Sequence, residues 1–271
     1  MASSCASTNW RWQLRHAVRS GEVLGASLRL TPDERRGLAQ AAAGGLSLLI
    51  PPYYLALCDP DDPSCPIRRQ CVPHGDEAVR VPGDLHDPLG EVGHEVLPGL
   101  VRRYPDRALL IVSAACAVHC RFCTRSRVTR DRRGVALWSQ LDPALQWLRE
   151  HPDVRELLLS GGDPLVASTR RIRELLMRVR AVPSIEVIRI GTRVPAVLPM
   201  RIEPELVDVL RAHGPIWIMT HFNHPRELTP QACQALSLLA DGGLPVMNQT
   251  VLLRGVNDNT RVLSELCRGL V

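Results

Sequence analysis

Three cysteines lie close together in one short stretch of the sequence, and their spacing has the clearest chemical meaning in the chain. Cys116, Cys120 and Cys123 form a C-x3-C-x2-C triplet directly after an apolar run at residues 108–114. A cubane iron–sulfur cluster normally takes four thiolates, one for each iron. Because the triplet has no fourth cysteine nearby, a cluster bound here would keep one iron open. The sequence therefore predicts a [4Fe–4S] cluster whose open iron binds and activates a small molecule.

Two other interpretations of the triplet remain open at this point. A closed zinc site needs four ligands, and His119 would have to serve as the fourth from inside the loop, which strains a tetrahedral arrangement. The cysteines could otherwise be free thiols. Disulfides fit poorly, because the chain has nine cysteines, an odd number, and its first residues lack the basic and apolar regions of a secretory signal.

Further motifs follow one another along the chain. They occupy residues 10–15, 52–55, 98–100, 103–107, 116–125, 159–163, 189–193, 220–225, 248–249 and 253–258. Together with the triplet, this series resembles the lysine 2,3-aminomutases, radical S-adenosylmethionine (SAM) enzymes that also use pyridoxal 5′-phosphate (PLP). The resemblance runs from about residue 9 to the last residue. It is specific because so many motifs occur together and in order.

The resemblance implies a role for the cluster and for the residues around it. The open iron would bind the amino and carboxylate groups of SAM, and reduction of the cluster would split SAM into methionine and a 5′-deoxyadenosyl radical. Glycine lets a ligand approach the backbone closely, and a carboxylate pairs with an ammonium group. The residues implied to contact SAM are Phe122 near the adenine, Gly161, Gly162 and Asp163 at the amino group, and His221 and Gln249 elsewhere around it.

The resemblance also implies an amino-acid substrate, L-lysine, whose α-amino group moves to the β-carbon while PLP carries the migrating nitrogen. Arg125 matches the arginine that holds the substrate carboxylate, and a guanidinium group offers a carboxylate two parallel hydrogen bonds. Arg103, Tyr104 and Arg107 match a segment near the PLP phosphate. A reductant such as flavodoxin or ferredoxin and a homo-oligomeric assembly are further implications.

The chain contains no lysine, so all 33 of its Lys+Arg residues are arginines. A PLP enzyme needs a lysine for its resting Schiff base, and in the family that lysine lies beyond the point where this sequence stops. We therefore expect a C-terminally truncated relative that binds the cluster and SAM but does not isomerise lysine alone. Two alternatives stay open: an aminomutase that acts on glutamate or on a lysine attached to translation elongation factor P, and a non-catalytic metal-binding fragment.

The order of the motifs predicts the fold that positions them. Residues 1–100 are interpreted as a mainly helical extension that is loop-rich from residue 58, and its cysteines Cys58, Cys65 and Cys71 as free or buried thiols. Over residues 101–271, about five apolar runs alternate with helical patterns, and a polar motif follows each run. Alternating strands and helices predict an α/β fold with a parallel sheet. Because βα barrels carry their sites at the carboxyl ends of the strands, we predict a partial, TIM-like radical SAM barrel.

Composition and charge argue against other classes of partner. The net charge of +5 is spread along the chain and aromatic residues make up only 4%, so stacking platforms for nucleic acid are few. No apolar run reaches the ~20 residues that span a bilayer. We therefore expect no nucleic-acid partner and no membrane insertion. A reducing cytoplasm is the expected location, because such clusters are sensitive to oxygen.

Overall fold

A seven-stranded sheet forms the centre of the computed structural model, which describes residues 8–79, 81–85, 87–130 and 141–271. The strands lie side by side in chain order as β1 (Glu95–Leu97), β2 (Leu100–Tyr104), β3 (Arg107–Ser113), β4 (Glu156–Gly161), β5 (Val187–Gly191), β6 (Ile216–Thr220) and β7 (Val246–Asn248). Strands β1 to β3 pair in antiparallel fashion, whereas β3 to β7 are parallel. Within the described residues β1 and β7 form the two edges, so the sheet is open. This confirms the α/β class and the partial barrel.

Helices connect the parallel strands and build the N-terminal segment. They are α1 (Trp10–Arg15), α2 (Gly21–Gly25), α3 (Pro32–Ala42), α4 (Pro52–Leu55), α5 (Arg68–Cys71), α6 (Ser126–Arg130), α7 (Leu141–Glu150), α8 (Thr169–Arg180), α9 (Val194–Val197), α10 (Pro204–Ala212), α11 (Pro230–Asp241) and α12 (Thr260–Gly269). Short 3-10 turns occupy Gly75–Ala78, Val92–His94, Pro164–Val166, Pro199–Arg201 and Pro225–Glu227. In the part of the chain that the structure describes, none of the helices has the length and apolar character that crossing a membrane requires.

Local capping explains where the longer helices begin. The Thr31 hydroxyl accepts a hydrogen bond from Glu34 N at 3.1 Å, while the Glu34 carboxylate accepts one from Thr31 N at 2.8 Å. This reciprocal capping box satisfies two backbone donors and fixes the start of α3. Thr229 caps α11 in a similar way by accepting from Ala232 N. In both helices a proline follows the cap, where its missing N–H costs nothing.

Alternation along the parallel strands divides the sheet into a covered face and an open face. Trp217 and Met247 lie on the open face and are 36% and 46% exposed. The covered face packs against apolar helix faces, and each large aliphatic side chain buried there contributes about 1.5–3 kcal/mol. The buried strand residues are Leu157, Leu159, Ile188, Ile190, Ile216 and Ile218, and those of α8 are Ile172, Leu175, Leu176 and Val179.

A buried ion pair holds the N-terminal segment together. Arg68 has no solvent exposure, and its Nε and Nη2 donate to the two carboxylate oxygens of Glu34 at 2.7 Å each. The remaining guanidinium hydrogens bond to the carbonyl oxygens of Arg29, Asp59 and Pro60. A buried charge is tolerated only when it is paired and fully hydrogen-bonded, and Arg68 meets both conditions.

Most of residues 58–100 are loop, as the sequence predicts, with a few short elements between. This stretch contains α5, β1, the first residue of β2 and two 3-10 turns. Strand β1 has only three residues, at the edge of the sheet, and so short a run leaves little pattern in a sequence dominated by Pro, Asp and Gly. The expectation for its cysteines is confirmed, because Cys58, Cys65 and Cys71 are all buried free thiols. Residues 1–7 of the predicted extension lie outside the described residues.

Candidate functional site

The cysteine loop begins directly after β3, at the carboxyl end of the parallel strands. A backbone hydrogen bond of 2.6 Å from Gly162 N to Ser113 O joins its base to the end of β4. On its other side the loop is bonded to the N-terminal segment, from Arg121 N to Gln70 O at 3.0 Å. The loop is therefore held on both sides, as a preformed ligand site requires.

The sulfur atoms of the triplet are not gathered around one point as the ligands of a single zinc ion are. Two thiolates on one tetrahedral zinc lie about 3.8 Å apart, since each Zn–S bond is ~2.3 Å long. The Sγ atoms of Cys116, Cys120 and Cys123 do not all lie within 4.8 Å of one another. The number of protein ligands distinguishes the two kinds of centre, because a closed zinc site takes four and a cubane cluster with an open iron takes three.

The protonation of the thiols also fits a strongly positive ligand. Burial raises the pKa of the Cys116 thiol well above its ordinary value, and Asp163 and the neighbouring cysteines act in the same direction. Burial likewise raises the pKa of Cys123, to about 11. These two thiols stay protonated at neutral pH unless a metal centre displaces their protons, and coordination to a metal does so. The donor set of three half-buried thiols thus fits a [4Fe–4S] cluster.

The two glycines after β4 are required by a close approach of backbone to backbone. Gly161 has a φ of +118°, and a Cβ built on it would lie 2.4 Å from the carbonyl oxygen of Ser113. A Cβ on Gly162 would lie 2.4 Å from the oxygen of Ala115. Side chains at these positions would push the cysteine loop away from the sheet. The contact of both glycines with SAM stays a prediction.

We expect Gly162→Ala to lower the free energy of unfolding by about 1–3 kcal/mol, the usual cost of overpacking. The physical reason is the clash of the new Cβ with Ala115 O. Gly93→Ala is the matched control, because a Cβ at Gly93 meets no atom within 4 Å. Urea titration measures both variants. If the two variants were equally stable, the cysteine loop would move away from the new Cβ without cost, which would contradict the prediction.

Asp163 connects the ends of two strands. Its Oδ1 accepts hydrogen bonds from Leu165 N at 3.0 Å and from the Thr192 hydroxyl at 2.8 Å, and its Oδ2 accepts from Arg193 N at 2.7 Å. Burial raises the pKa of Asp163, while these donors act against that rise. The carboxylate thus fixes the end of β5 against the end of β4. The predicted contact with the SAM amino group would be made in addition to these bonds.

His221 and Phe122 form a small aromatic wall beside the cysteine loop. Their ring centroids are 5.3 Å apart and the rings are tilted by 56°. Within the described residues, the buried Nε2 atom of His221 has no hydrogen-bond partner. A buried polar atom without a partner is costly, and a polar ligand would remove that cost. The contact of these two residues with SAM stays a prediction.

The burial of His221 has a consequence for stability against pH. Burial, aided by the charge of Arg193, lowers the pKa of His221 from 6.5 to about 4. The unfolded chain therefore binds a proton at this position at higher pH than the folded chain does, and stability is lost as pH falls from 6.5 to about 4. We expect the free energy of unfolding of His221→Gln to fall less than that of the wild type over this pH range. The difference between the two slopes corresponds to at most one bound proton. Urea titrations at several pH values test this, and parallel curves would contradict it.

Gln249 and Arg125 approach the same end of the sheet from other elements. Gln249 follows β7, and its backbone N donates to Thr220 O at 2.8 Å, although its side chain is exposed. Arg125 donates to Glu91 Oε1 from Nε at 2.7 Å and to the Ser160 hydroxyl at 3.3 Å. Glu91 thus occupies the guanidinium group that the resemblance assigns to the substrate carboxylate.

The predicted phosphate-binding residues lie elsewhere. Arg103 and Tyr104 end β2 and Arg107 begins β3, so they lie at the opposite end of β3 from the cysteine loop. Seven residues of strand, at about 3.3 Å each, correspond to roughly 20 Å. Arg107 pairs with Asp106 and lies over the Tyr104 ring, while Arg103 donates to Leu89 O. The structure does not bring these three residues to the triplet, and their role stays a prediction.

An open α/β barrel with three cysteines at the carboxyl end of its first parallel strand defines the class of this protein. The Radical SAM superfamily model matches residues 110–266, more than half of the chain. L-lysine 2,3-aminomutase from Clostridium subterminale is 44% identical over 97% of this chain and 63% of its own length. L-lysine 2,3-aminomutase from Escherichia coli is 35% identical over 97% of this chain and 76% of its own length. Glutamate 2,3-aminomutase from Clostridioides difficile is 32% identical over 94% of this chain and 60% of its own length.

This chain therefore belongs to the radical SAM superfamily and, within it, to the 2,3-aminomutase family whose relatives include the lysine and glutamate enzymes. It spans 63% of the length of the Clostridium subterminale relative.

The residues of this chain do not fit the second cofactor of such enzymes. PLP is held through a Schiff base with a lysine amine, and the sequence contains no lysine. The arginines matched to its phosphate are also remote from the cysteine loop. No step through PLP can be derived from these residues.

Proposed function

We propose that this chain binds a [4Fe–4S] cluster and SAM and is the radical-generating part of an enzyme for the 2,3-amino migration of L-lysine. The observation that supports this most strongly is the triplet of half-buried thiols after β3, in a loop that is hydrogen-bonded on both sides and whose Phe122 contacts the His221 ring. When bound, the reduced cluster would supply the electron that splits SAM into methionine and a 5′-deoxyadenosyl radical.

The residues of the chain divide the remaining work. Cys116, Cys120 and Cys123 hold the cluster. His221 stays neutral above about pH 4 and offers its free nitrogen to SAM, while the ring of Phe122 packs on the adenine. Gly161, Gly162, Asp163 and Gln249 are proposed as further SAM contacts on the family resemblance. Arg125 takes the carboxylate of the amino acid in place of Glu91.

L-lysine is the favoured substrate. The lysine enzyme of Clostridium subterminale is 44% identical to this chain, whereas the glutamate enzyme is 32% identical. Glutamate and a lysine attached to elongation factor P rank second. The proposal also includes a reductant of the flavodoxin or ferredoxin class, a location in the reducing cytoplasm and a homo-oligomeric state.

Because the chain has no lysine, we expect it to cleave SAM but not to isomerise lysine alone. The test is anaerobic reconstitution of the 271-residue chain, followed by iron and sulfide analysis and by reduction with dithionite in the presence of SAM. About four iron and four sulfide atoms per chain and the release of 5′-deoxyadenosine support the proposal. One zinc per chain without iron would favour the non-catalytic metal-binding alternative, and formation of β-lysine would contradict the expected inactivity.

A further inference from the structure

One cysteine of the triplet has a charged hydrogen-bond donor. Arg193 Nη1 lies 2.9 Å from Cys120 Sγ, within the range of a hydrogen bond to sulfur. Arg193 follows β5 and is only 6% exposed, so solvent hardly competes for its guanidinium group. Charge-assisted hydrogen bonds of this kind are roughly twice as strong as neutral ones.

The other end of the guanidinium group is fixed by three acceptors. Arg193 Nη2 donates to the Tyr54 hydroxyl at 2.8 Å, to Gln70 Oε1 at 2.6 Å and to Glu227 Oε1 at 2.8 Å. Glu227 is itself fully buried, and the Tyr54 hydroxyl donates to the same oxygen at 2.8 Å. The arginine cannot swing away from Cys120 without breaking these bonds.

Arg193 is a permanent cation in this environment. A guanidinium group stays protonated in proteins, and the Glu227 carboxylate pairs with this one at 2.8 Å. Its charge also faces the Phe122 ring, with the guanidinium carbon 5.1 Å from the ring centroid. The fixed positive charge of Arg193 therefore lies beside Cys120, and the negative charge of Glu227 balances it.

We propose that Arg193 is a positioning residue for the cluster, which orients Cys120 through its hydrogen bond and, with Glu227, sets the reduction potential. This inference rests on the proposed cluster binding. Reduction transfers one electron from an external reductant to the cluster, with no bond made or broken and no proton lost by Arg193. The added negative charge is stabilised by the nearby cation and opposed by the carboxylate. Hydrogen bonds to the cysteine sulfur and local charge are recognised determinants of such potentials.

The experiment compares the reconstituted 271-residue chain with Arg193→Met, Arg193→Lys and Glu227→Gln. Iron content is measured first, and the cluster is then titrated with dithionite while the spin-resonance signal of the reduced form is followed. We expect a more negative potential for Arg193→Met, a smaller negative shift for Arg193→Lys, and a more positive potential for Glu227→Gln. Opposite shifts at the two ends of one ion pair are not produced by a loss of packing.

Arg201→Met is the matched control, because Arg201 is another fully buried arginine near the ends of the strands. It donates to the carbonyl oxygens of Leu165 and Ala167 instead of a sulfur, and we expect an unchanged potential. If the wild type binds no iron, the proposed function fails and this inference with it. If wild type, Arg193→Lys and Glu227→Gln all carry full iron at one potential, cluster binding stands and the role of Arg193 is refuted. If Arg193→Met fails to fold, the reduction potentials of Arg193→Lys and Glu227→Gln still test the proposal.

Discussion

The Cys120→Ala variant is expected to bind no cluster, so its iron and sulfide content should fall from about four of each per chain to background. A cubane cluster on this loop has only three protein thiolates, and removal of one leaves two irons without a protein ligand. The loss should be complete rather than partial, because no other described cysteine lies on this loop. Colorimetric iron and sulfide analysis after anaerobic reconstitution measures it.

Cys267→Ala provides the matched control for this experiment. Cys267 is an exposed free thiol on α12 and belongs to a different part of the chain. We expect it to retain the full cluster. If the Cys120 variant kept its iron, the assignment of the triplet would be wrong. If both variants lost iron, the loss would reflect general damage to the protein.

The Arg68→Met variant should show the largest loss of stability, about 3–5 kcal/mol in the free energy of unfolding. Removal of one partner of a buried ion pair leaves the other charge without compensation. Here the Glu34 carboxylate and three carbonyl oxygens would lose their donors together. Urea titration at pH 7 measures the loss.

Two comparisons make this prediction specific. Arg261→Ala removes an exposed arginine paired with Glu265 within α12 and should cost at most about 0.5 kcal/mol. Although burial acts against it, the hydrogen bonds from Arg68 lower the pKa of Glu34 from 4.5. The stabilisation that Glu34 gives is therefore present above pH 4.5 and lost as pH falls through its lowered value in the folded chain. Equal losses for the two arginine variants, or a loss independent of pH in this window, would contradict the explanation.

The parallel half of the fold was predictable because it depends on local pattern. The apolar runs at β3 to β6 and the helical face of Ile172, Leu175, Leu176 and Val179 have the lengths and periods that identify buried elements. The last parallel strand, β7, covers only Val246–Asn248. Because polar residues follow this strand, the sequence has no alternating apolar pattern there that would distinguish a strand from a loop.

The hydrogen-bond partners of the site were not predictable from the sequence. Arginine is mostly exposed in proteins, so nothing in the chain distinguishes the buried Arg68 and Arg193 from the other arginines. Glu91 was missed for the same reason, since its contact with Arg125 joins residues 34 positions apart across a stretch interpreted as loop. Asp163 was recognised, but as a ligand residue, whereas its contacts with Thr192 and Arg193 also make it a link between strands. Such contacts depend on the assembled fold.

The setting of Cys120 has a consequence for the order of events during biosynthesis. Tyr54 meets Arg193 across 139 positions and Glu227 across 173, so the surroundings of this thiol are complete only when distant parts of the chain have met. Glu227 follows Cys123 by 104 residues, which a ribosome adds in about 5–20 s at 5–20 residues per second. During that interval the triplet has been synthesised, but the ion pair of Arg193 with Glu227 is incomplete. The hydrogen-bond network that positions Cys120 is therefore expected to form only after translation has passed β6 and reached Glu227.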